Sequence, residues 1–217
     1  MRILLLGATG RTGKLVLTSA LKEGYSVNCL VRKPDKTEAQ DGMQVFEGNP
    51  SDEHALQSAM EGCECIMSVL NISRHTDFPW SALRTPENYL SEVMSQVIPM
   101  AEERNIQRII ICSAWGVAET KKDIPGWFRW FIENSNIGKA YEDHERQEQL
   151  LMQSNLNWTI IRPAGLTNSR KRQEIRESFN DVPKPTLTIS RQSVARYMVS
   201  SIDNEQLIKQ TVVISKN

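Results

Sequence analysis

No stretch of the 217-residue chain stays apolar for the roughly 20 residues needed to cross a bilayer, so a membrane-spanning helix is not expected. Net charge is also missing. Lysine plus arginine equals aspartate plus glutamate at 26 each, which leaves no global basic field to favour nucleic acid or an anionic membrane. Histidine is scarce: His54, His75 and His144 are scattered, and Cys63 and Cys65 stand as C-x-C rather than C-x-x-C, so no metal site is expected. The four cysteines, Cys29, Cys63, Cys65 and Cys112, fall in or beside apolar segments, where cysteine behaves as a small buried hydrophobe. There is no internal repeat, no low-complexity segment and no stretch resembling a linker, which fits one domain with one sizeable core. The first residues read as a core strand rather than a signal peptide. Together these absences suggest a soluble, cytoplasmic protein with a small-molecule partner, as monomer or homodimer.

What is present begins at once. Arg2 to Gly13 reads RILLLGATGRTG, an apolar strand running into glycines spaced G-x-x-G-x-x-G. Gly7 would end the strand in a tight turn, Gly10 would let the backbone approach phosphates, and Gly13 would let the next helix pack closely on the sheet. The N–H groups from Arg11 to Lys14 would then face an anion at a helix N-terminus. Leu15, Val16, Ala20 and Leu21 follow at helical spacing and Gly24 closes the helix, so the turn has the strand–turn–helix context of a dinucleotide site. Gly7, Thr9, Gly10, Arg11, Thr12 and Gly13 are its expected contacts. The second strand, Tyr25 to Val31, ends in the basic pair Arg32 and Lys33, where the adenosine ribose would lie. A basic pair there favours a 2′-phosphate, hence NADP(H) over NAD(H), and Arg11 leans the same way.

Further along, apolar runs alternate with helical periodicity, as a parallel sheet with crossover helices requires. Met43 to Glu47 reads as strand three, Asp52 to Met60 as a helix capped by Ser51, Cys63 to Leu70 as strand four and Pro86 to Asn105 as a helix kinked by Pro99. Arg108 to Cys112 forms strand five, Gly138 to Ser154 a helix, Trp158 to Arg162 strand six, Gln192 to Ile202 a last helix and Thr211 to Ile214 a last strand. The expected fold is α/β: a Rossmann-type, doubly wound, mainly parallel sheet with helices on both faces and a small substrate-side portion from about residue 163.

GATGRTG, LVRKP, GNPSD, SVLN, CSAWG, SNLNWTIIRPAGL and ISRQSVARYMVSSI occur in that order across nearly the whole chain. The ordered set resembles the atypical short-chain dehydrogenase/reductases, and within them the NmrA-like, NAD(P)H-binding branch that includes flavin reductase. The resemblance implies adenine near Asn49 and Pro50, pyrophosphate and ribose near Leu70 and Asn71, and nicotinamide near Ser113, Pro163 and Ala164.

The Tyr and Lys four residues apart of standard short-chain dehydrogenases is missing, because Tyr141 is followed at that spacing by Glu145, whose charge would raise the phenol pKa. His144 shares a face with Tyr141 and precedes Glu148 by four, so Glu148 could orient or charge its imidazole. Ser113 matches the serine beside the nicotinamide in relatives and could donate to an oxyanion. Ser113, His144 and Tyr141 are therefore the catalytic candidates. Phe78 and Trp80, and Trp115, Trp127, Phe128, Trp130 and Phe131, form two aromatic stretches that could stack on a flat ring or simply pack. The charged run from Asn168 to Glu177 reads as a solvated loop or helix. Two functions fit: an NADPH-dependent reductase passing hydride to a small or planar quinone, flavin or carbonyl, and a non-catalytic NADP(H)-sensing regulator acting through a protein partner.

Overall fold

A computed structural model describes residues 1–34 and 40–217. In chain order the elements are β1 (Arg2–Leu6), α1 (Arg11–Lys22), β2 (Ser26–Val31), β3 (Met43–Glu47), α2 (Glu53–Met60), β4 (Cys65–Ser68), α3 (Tyr89–Glu103) and β5 (Arg108–Cys112). There follow α4 (Gly126–Glu133), α5 (Ile137–Met152), β6 (Asn157–Pro163), β7 (Gly165–Thr167), β8 (Ile175–Ser178), β9 (Thr188–Ser190), α6 (Arg191–Ser200) and β10 (Gln210–Lys216). Eight strands form the main sheet in the order β3-β2-β1-β4-β5-β6-β10-β8, and β7 pairs with β9 in a two-stranded sheet beside it. All neighbours in the main sheet run parallel except β8, which is antiparallel to β10. This is the doubly wound α/β sheet expected.

Alternation along each strand divides the core between the two faces. Ile3 and Leu5 of β1 join Val16 and Leu17 of α1 and Val194 and Met198 of α6 on one face. Leu4 and Leu6 join Leu56 of α2, Leu90 and Val93 of α3 and Leu151 of α5 on the other. Because both faces are covered, the central parallel strands are mostly apolar, and β1 buries Ile3 through Leu6 completely. The cysteines behave as small hydrophobes: none is disulfide-bonded, and burial pushes the thiols of Cys29, Cys65 and Cys112 up to about 12 and that of Cys63 up to about 11.

Several local expectations are corrected. The cap of α2 is Asp52 rather than Ser51, since the Asp52 carboxylate accepts from the N–H of Ala55 at 3.1 Å. α3 starts at Tyr89, three residues later than the pattern suggests, and it continues through Pro99. The tryptophan-rich connection holds a helix, α4. The charged run after β6 ends in strand β8, which covers the edge of β10. No helix among the described residues is long and apolar enough to cross a membrane.

Strand order reverses beside β1, with β2 and β3 to one side and β4, β5 and β6 to the other. That switch opens a crevice at the carboxyl ends of the strands, directly after the glycine turn. Gly13 sets how closely α1 approaches it: a Cβ on Gly13 would lie 2.0 Å from the Gly7 carbonyl oxygen. Gly13→Ala should therefore force α1 off the turn and cost about 1–3 kcal/mol, the range for overpacking, read as a lower denaturation midpoint. A midpoint at or above that of the unmodified protein would show that the contact relaxes freely.

Candidate functional site

Each glycine of the turn now has a geometric reason. Gly7 sits at φ +88°, a left-handed conformation that a side chain would strain, and its Cβ would also meet the backbone of Val69 at 3.0 Å. A Cβ on Gly10 would meet only the Gly7 carbonyl, at 3.2 Å, so the rest of its surroundings lie open for a ligand. Gly13 packs on the turn itself, on the Gly7 carbonyl, rather than on the sheet as expected. Among the described residues the backbone N–H groups of Arg11, Thr12 and Gly13 have no hydrogen-bond acceptor in the protein, whereas that of Lys14 bonds the Gly10 carbonyl at 3.0 Å. The anion cradle thus has three helix donors, and Lys14 is not one of them. A dinucleotide pyrophosphate fits this cradle, with its open wall at Gly10 and its unpaired donors at the positive end of α1.

The other expected contacts line up across the strand ends. Arg32 and Lys33 are exposed just beyond β2, and Gly48 ties the end of β3 to Val31 by a 3.0 Å bond, which brings Asn49 and Pro50 beside them. Tyr89 joins this group. Its hydroxyl donates to Asn49 Oδ1 at 3.1 Å, and burial raises its pKa while nearby Arg32 pulls it down. Leu70 and Asn71 follow β4 against Gly7, whose Cβ position is 3.2 Å from the Leu70 nitrogen. Ser113 leaves β5 with its N–H bonded to the Ile161 carbonyl at 2.7 Å, and Trp115 bonds the Pro163 carbonyl at 3.0 Å, so Ser113, Pro163 and Ala164 share the far end of the crevice. From β2 to β6 is four strand spacings, or about 19 Å.

Arg11 turns away from Arg32. Its guanidinium forms a two-pronged ion pair with Asp77, at 3.1 and 3.3 Å, in the loop after β4. It therefore stands on the β4 side of β1 and does not join the basic pair at β2. The expectation that it would help to read a 2′-phosphate is not met by this geometry.

Near the catalytic candidates lies an ionic cluster absent from the motif reading, buried at Arg162 and Glu148 and exposed at Glu119. Arg162, on β6 and 0% exposed, is clasped by Glu148 of α5 at 2.5 and 3.1 Å and by Glu119 of the short turn after β5 at 2.5 and 3.2 Å. Burial raises the Glu148 pKa and Arg162 draws it partly back, while Arg162 holds Glu119 below its usual range against the effect of burial. Glu148 is committed to Arg162, so it does not orient or charge His144. The imidazole is buried, its Nδ1 has no hydrogen-bond partner, and burial lowers its pKa to about 4. Tyr141 is raised to about 12, by burial rather than by Glu145. Ser113 is 5% exposed and its hydroxyl also lacks a hydrogen-bond partner, although it lies beside Glu148 and helps to restrain that carboxyl's pKa. Asp143, the neighbour of His144, is fully buried and caps α3 by accepting from the Leu90 N–H at 2.6 Å.

The aromatic stretches divide. Trp115 is buried in the core, whereas Phe78, Trp127 and Trp130 are at least 60% exposed. Trp80 links the loop after β4 to α4: its ring meets Phe131 edge-on at 5.7 Å and its indole N–H donates to the Asn134 carbonyl at 2.6 Å. A pocket of about 280 Å³ between the loop after β5, α4 and α5 is lined in part by Gly116, Ile124 and Tyr141. A shallower hollow of about 540 Å³ near Gly62 and Ile106 lies at the opposite, amino ends of β4 and β5. No cluster with the makings of a metal site occurs among the described residues.

Neutral, buried His144 has a consequence for acid stability. Its folded-state pKa of about 4 lies below the ordinary 6.5, so the unfolded chain binds the extra proton. Stability is fully present above about pH 6.5 and falls as pH drops towards 4, by up to about 1.4 kcal/mol per pH unit from this one group. Denaturant titrations at pH 7, 6, 5 and 4.5 should show a shallower decline in His144→Gln than in the unmodified protein; parallel declines would assign the acid sensitivity elsewhere.

The profile of a family described as NAD(P)H-binding matches residues 7–205. Sanguinarine reductase of Eschscholzia californica is 27% identical over 243 residues, covering 95% of this chain and 86% of its own length. The photosystem II assembly factor Ycf39 of Trieres chinensis is 27% identical over 167 residues, and the match spans 76% of this chain but only 46% of Ycf39. Among solved structures, ChuY, an anaerobillin reductase from Escherichia coli O157:H7, superposes with a TM-score of 0.81 at 22% identity, covering 100% of this chain and 97% of its own. A short-chain dehydrogenase/reductase from Veillonella parvula in complex with NADP gives 0.81 at 17% identity, covering 99% and 94%. The chain belongs to the NAD(P)H-binding family on a Rossmann fold, in keeping with the NmrA-like, atypical short-chain character of its motifs.

Proposed function

We propose that the protein is an NADPH-dependent reductase that transfers hydride to a small or planar acceptor, a quinone, flavin or carbonyl. The observation that carries this reading is Ser113, a buried hydroxyl at the end of β5 that lies beside Glu148 but makes no well-formed hydrogen bond, in line along the strand ends with the open glycine cradle. A buried hydroxyl without a well-formed bond retains a donor that it can direct to a ligand. When bound, the dihydronicotinamide supplies the hydride, and the residues around it supply position and field. Arg11, Thr12 and Gly13 N–H groups hold the pyrophosphate, Arg32 and Lys33 take the 2′-phosphate, and the Ser113 hydroxyl donates to the oxygen that gains charge on the acceptor.

Proton supply narrows the acceptor. Tyr141, raised to about 12, keeps its proton, and His144, lowered to about 4, carries no positive charge at neutral pH. Acceptors whose reduced form is stable without concerted protonation, quinones and flavins, are favoured over simple ketones, and the proton follows from solvent. The names of two relatives, a sanguinarine reductase and an anaerobillin reductase, support a small-molecule acceptor.

Two variants test the assignment. Arg32→Ala should weaken NADPH binding about tenfold or more while leaving NADH binding unchanged, as loss of a charge-assisted contact implies. Ser113→Ala should lower kcat with menadione or FMN at least tenfold, with NADPH affinity retained. Equal loss for both dinucleotides in the first case, or unchanged turnover in the second, would remove the corresponding role. Tight, NADP(H)-selective binding with no oxidation of NADPH by menadione, FMN or dichlorophenolindophenol would instead favour a sensor.

A further inference from the structure

We propose that the pocket of about 280 Å³ between the loop after β5, α4 and α5 receives the acceptor, and that Glu119 is a positioning residue that holds one wall of it against β6. The inference rests on the reductase reading of the site. The wall is the segment from Gly116 to Lys121: Gly116, Val117, Ala118 and Lys121 line the pocket, together with Ile124 and Tyr141. Gly116 closes directly on the last two, since a Cβ there would lie 3.0 Å from Ile124 Cδ1 and 3.2 Å from Tyr141 Cε1. The wall begins three residues past Ser113, so a short stretch of backbone ties its position to that of the Ser113 hydroxyl. Among the described residues, Glu119 makes the only side-chain hydrogen bonds from this segment to the sheet, accepting from Arg162 Nη1 at 2.5 Å and from Nη2 at 3.2 Å.

The backbone beside that tie is strained. Ala118, immediately before Glu119, is held at φ +50°, a left-handed conformation that a residue with a Cβ keeps only where its surroundings impose it. The Gly116 N–H bonds Thr120 Oγ1 at 2.9 Å, and that hydroxyl donates to the Val117 carbonyl at 2.7 Å, so the segment is one compact turn that moves as a unit. Glu119 can release where Glu148 cannot. Its side chain is 62% exposed and stays solvated on leaving, while Arg162 keeps both oxygens of Glu148, so neither charge is stranded. Arg162 thus has one partner in the core and a second on a movable wall. With the second clasp made, the pocket stands preorganised, and an acceptor does not have to order the wall as it binds.

Glu119→Ala tests the wall, with Glu119→Gln, which retains an acceptor oxygen for Arg162, as the intermediate case. In Glu119→Ala, trypsin should cut after Lys121 or Lys122 at least about fivefold faster, because losing a charge-assisted bond raises the open population that the protease samples. With NADPH and menadione, the KM for menadione should rise at least about fivefold while kcat and NADPH affinity are retained, as loss of preorganised binding implies, and Glu119→Gln should fall between. A cleavage rate equal to that of the unmodified protein would deny the clasp. Faster cleavage with an unchanged menadione KM would deny that the pocket takes the acceptor, and a matching loss of NADPH affinity would show general loosening; each overturns the proposal. If the unmodified protein oxidises NADPH with no acceptor, the reductase reading falls and the acceptor pocket with it, while the cleavage rates still decide the clasp.

Discussion

A guanidinium with no access to water holds the β5–β6 end of the crevice together. Arg162 points from the middle of the sheet into a space with two carboxylates, one on α5 and one on the turn after β5. Removing Arg162 or Glu148 would strand a buried charge, a penalty of about 3–5 kcal/mol, whereas the exposed Glu119 adds a second clasp whose loss costs less. Ser113 starts the segment that leads to Glu119, and His144 and Tyr141 share the helix of Glu148. The geometry of all three candidates follows from one ionic contact set.

The two ends of the crevice are built from different materials. At the glycine turn almost everything is backbone: N–H donors, a carbonyl that excludes a Cβ, and a left-handed residue. Backbone cannot titrate, so this end presents the same donors at every pH. At the far end the polar groups are side chains in low dielectric, and burial drives the phenol up and the imidazole down, away from neutrality. The crevice therefore offers fixed dipoles at one end and, at the other, a phenol and an imidazole that are both neutral at pH 7.

How much of this could be read from the chain depended on the range of each contact. The glycine turn is local, so the conformation of its three glycines could be read from their spacing; the surface met by Gly13 and the engaged Lys14 N–H required coordinates. The strands were legible because a doubly covered sheet makes them mostly apolar. Arg162 was hidden inside such a run, in TIIRP, and its partners lie 14 and 43 residues away. Glu148 was assigned to His144 because four residues on a helix face is a visible spacing and a contact between a helix and a strand is not. Arg11 and Asp77, 66 residues apart, were invisible for the same reason.

The four cysteines acquire meaning in this light. A thiol reacts as its thiolate, and with every one raised to about 11 or 12 the ionised fraction at neutral pH is on the order of one in ten thousand or less. Quinones are electrophiles that alkylate exposed thiolates. With Cys29, Cys63 and Cys65 buried and Cys112 partly buried beside Ser113, no thiol of this chain presents a ready thiolate to an electrophile that reaches the strand ends.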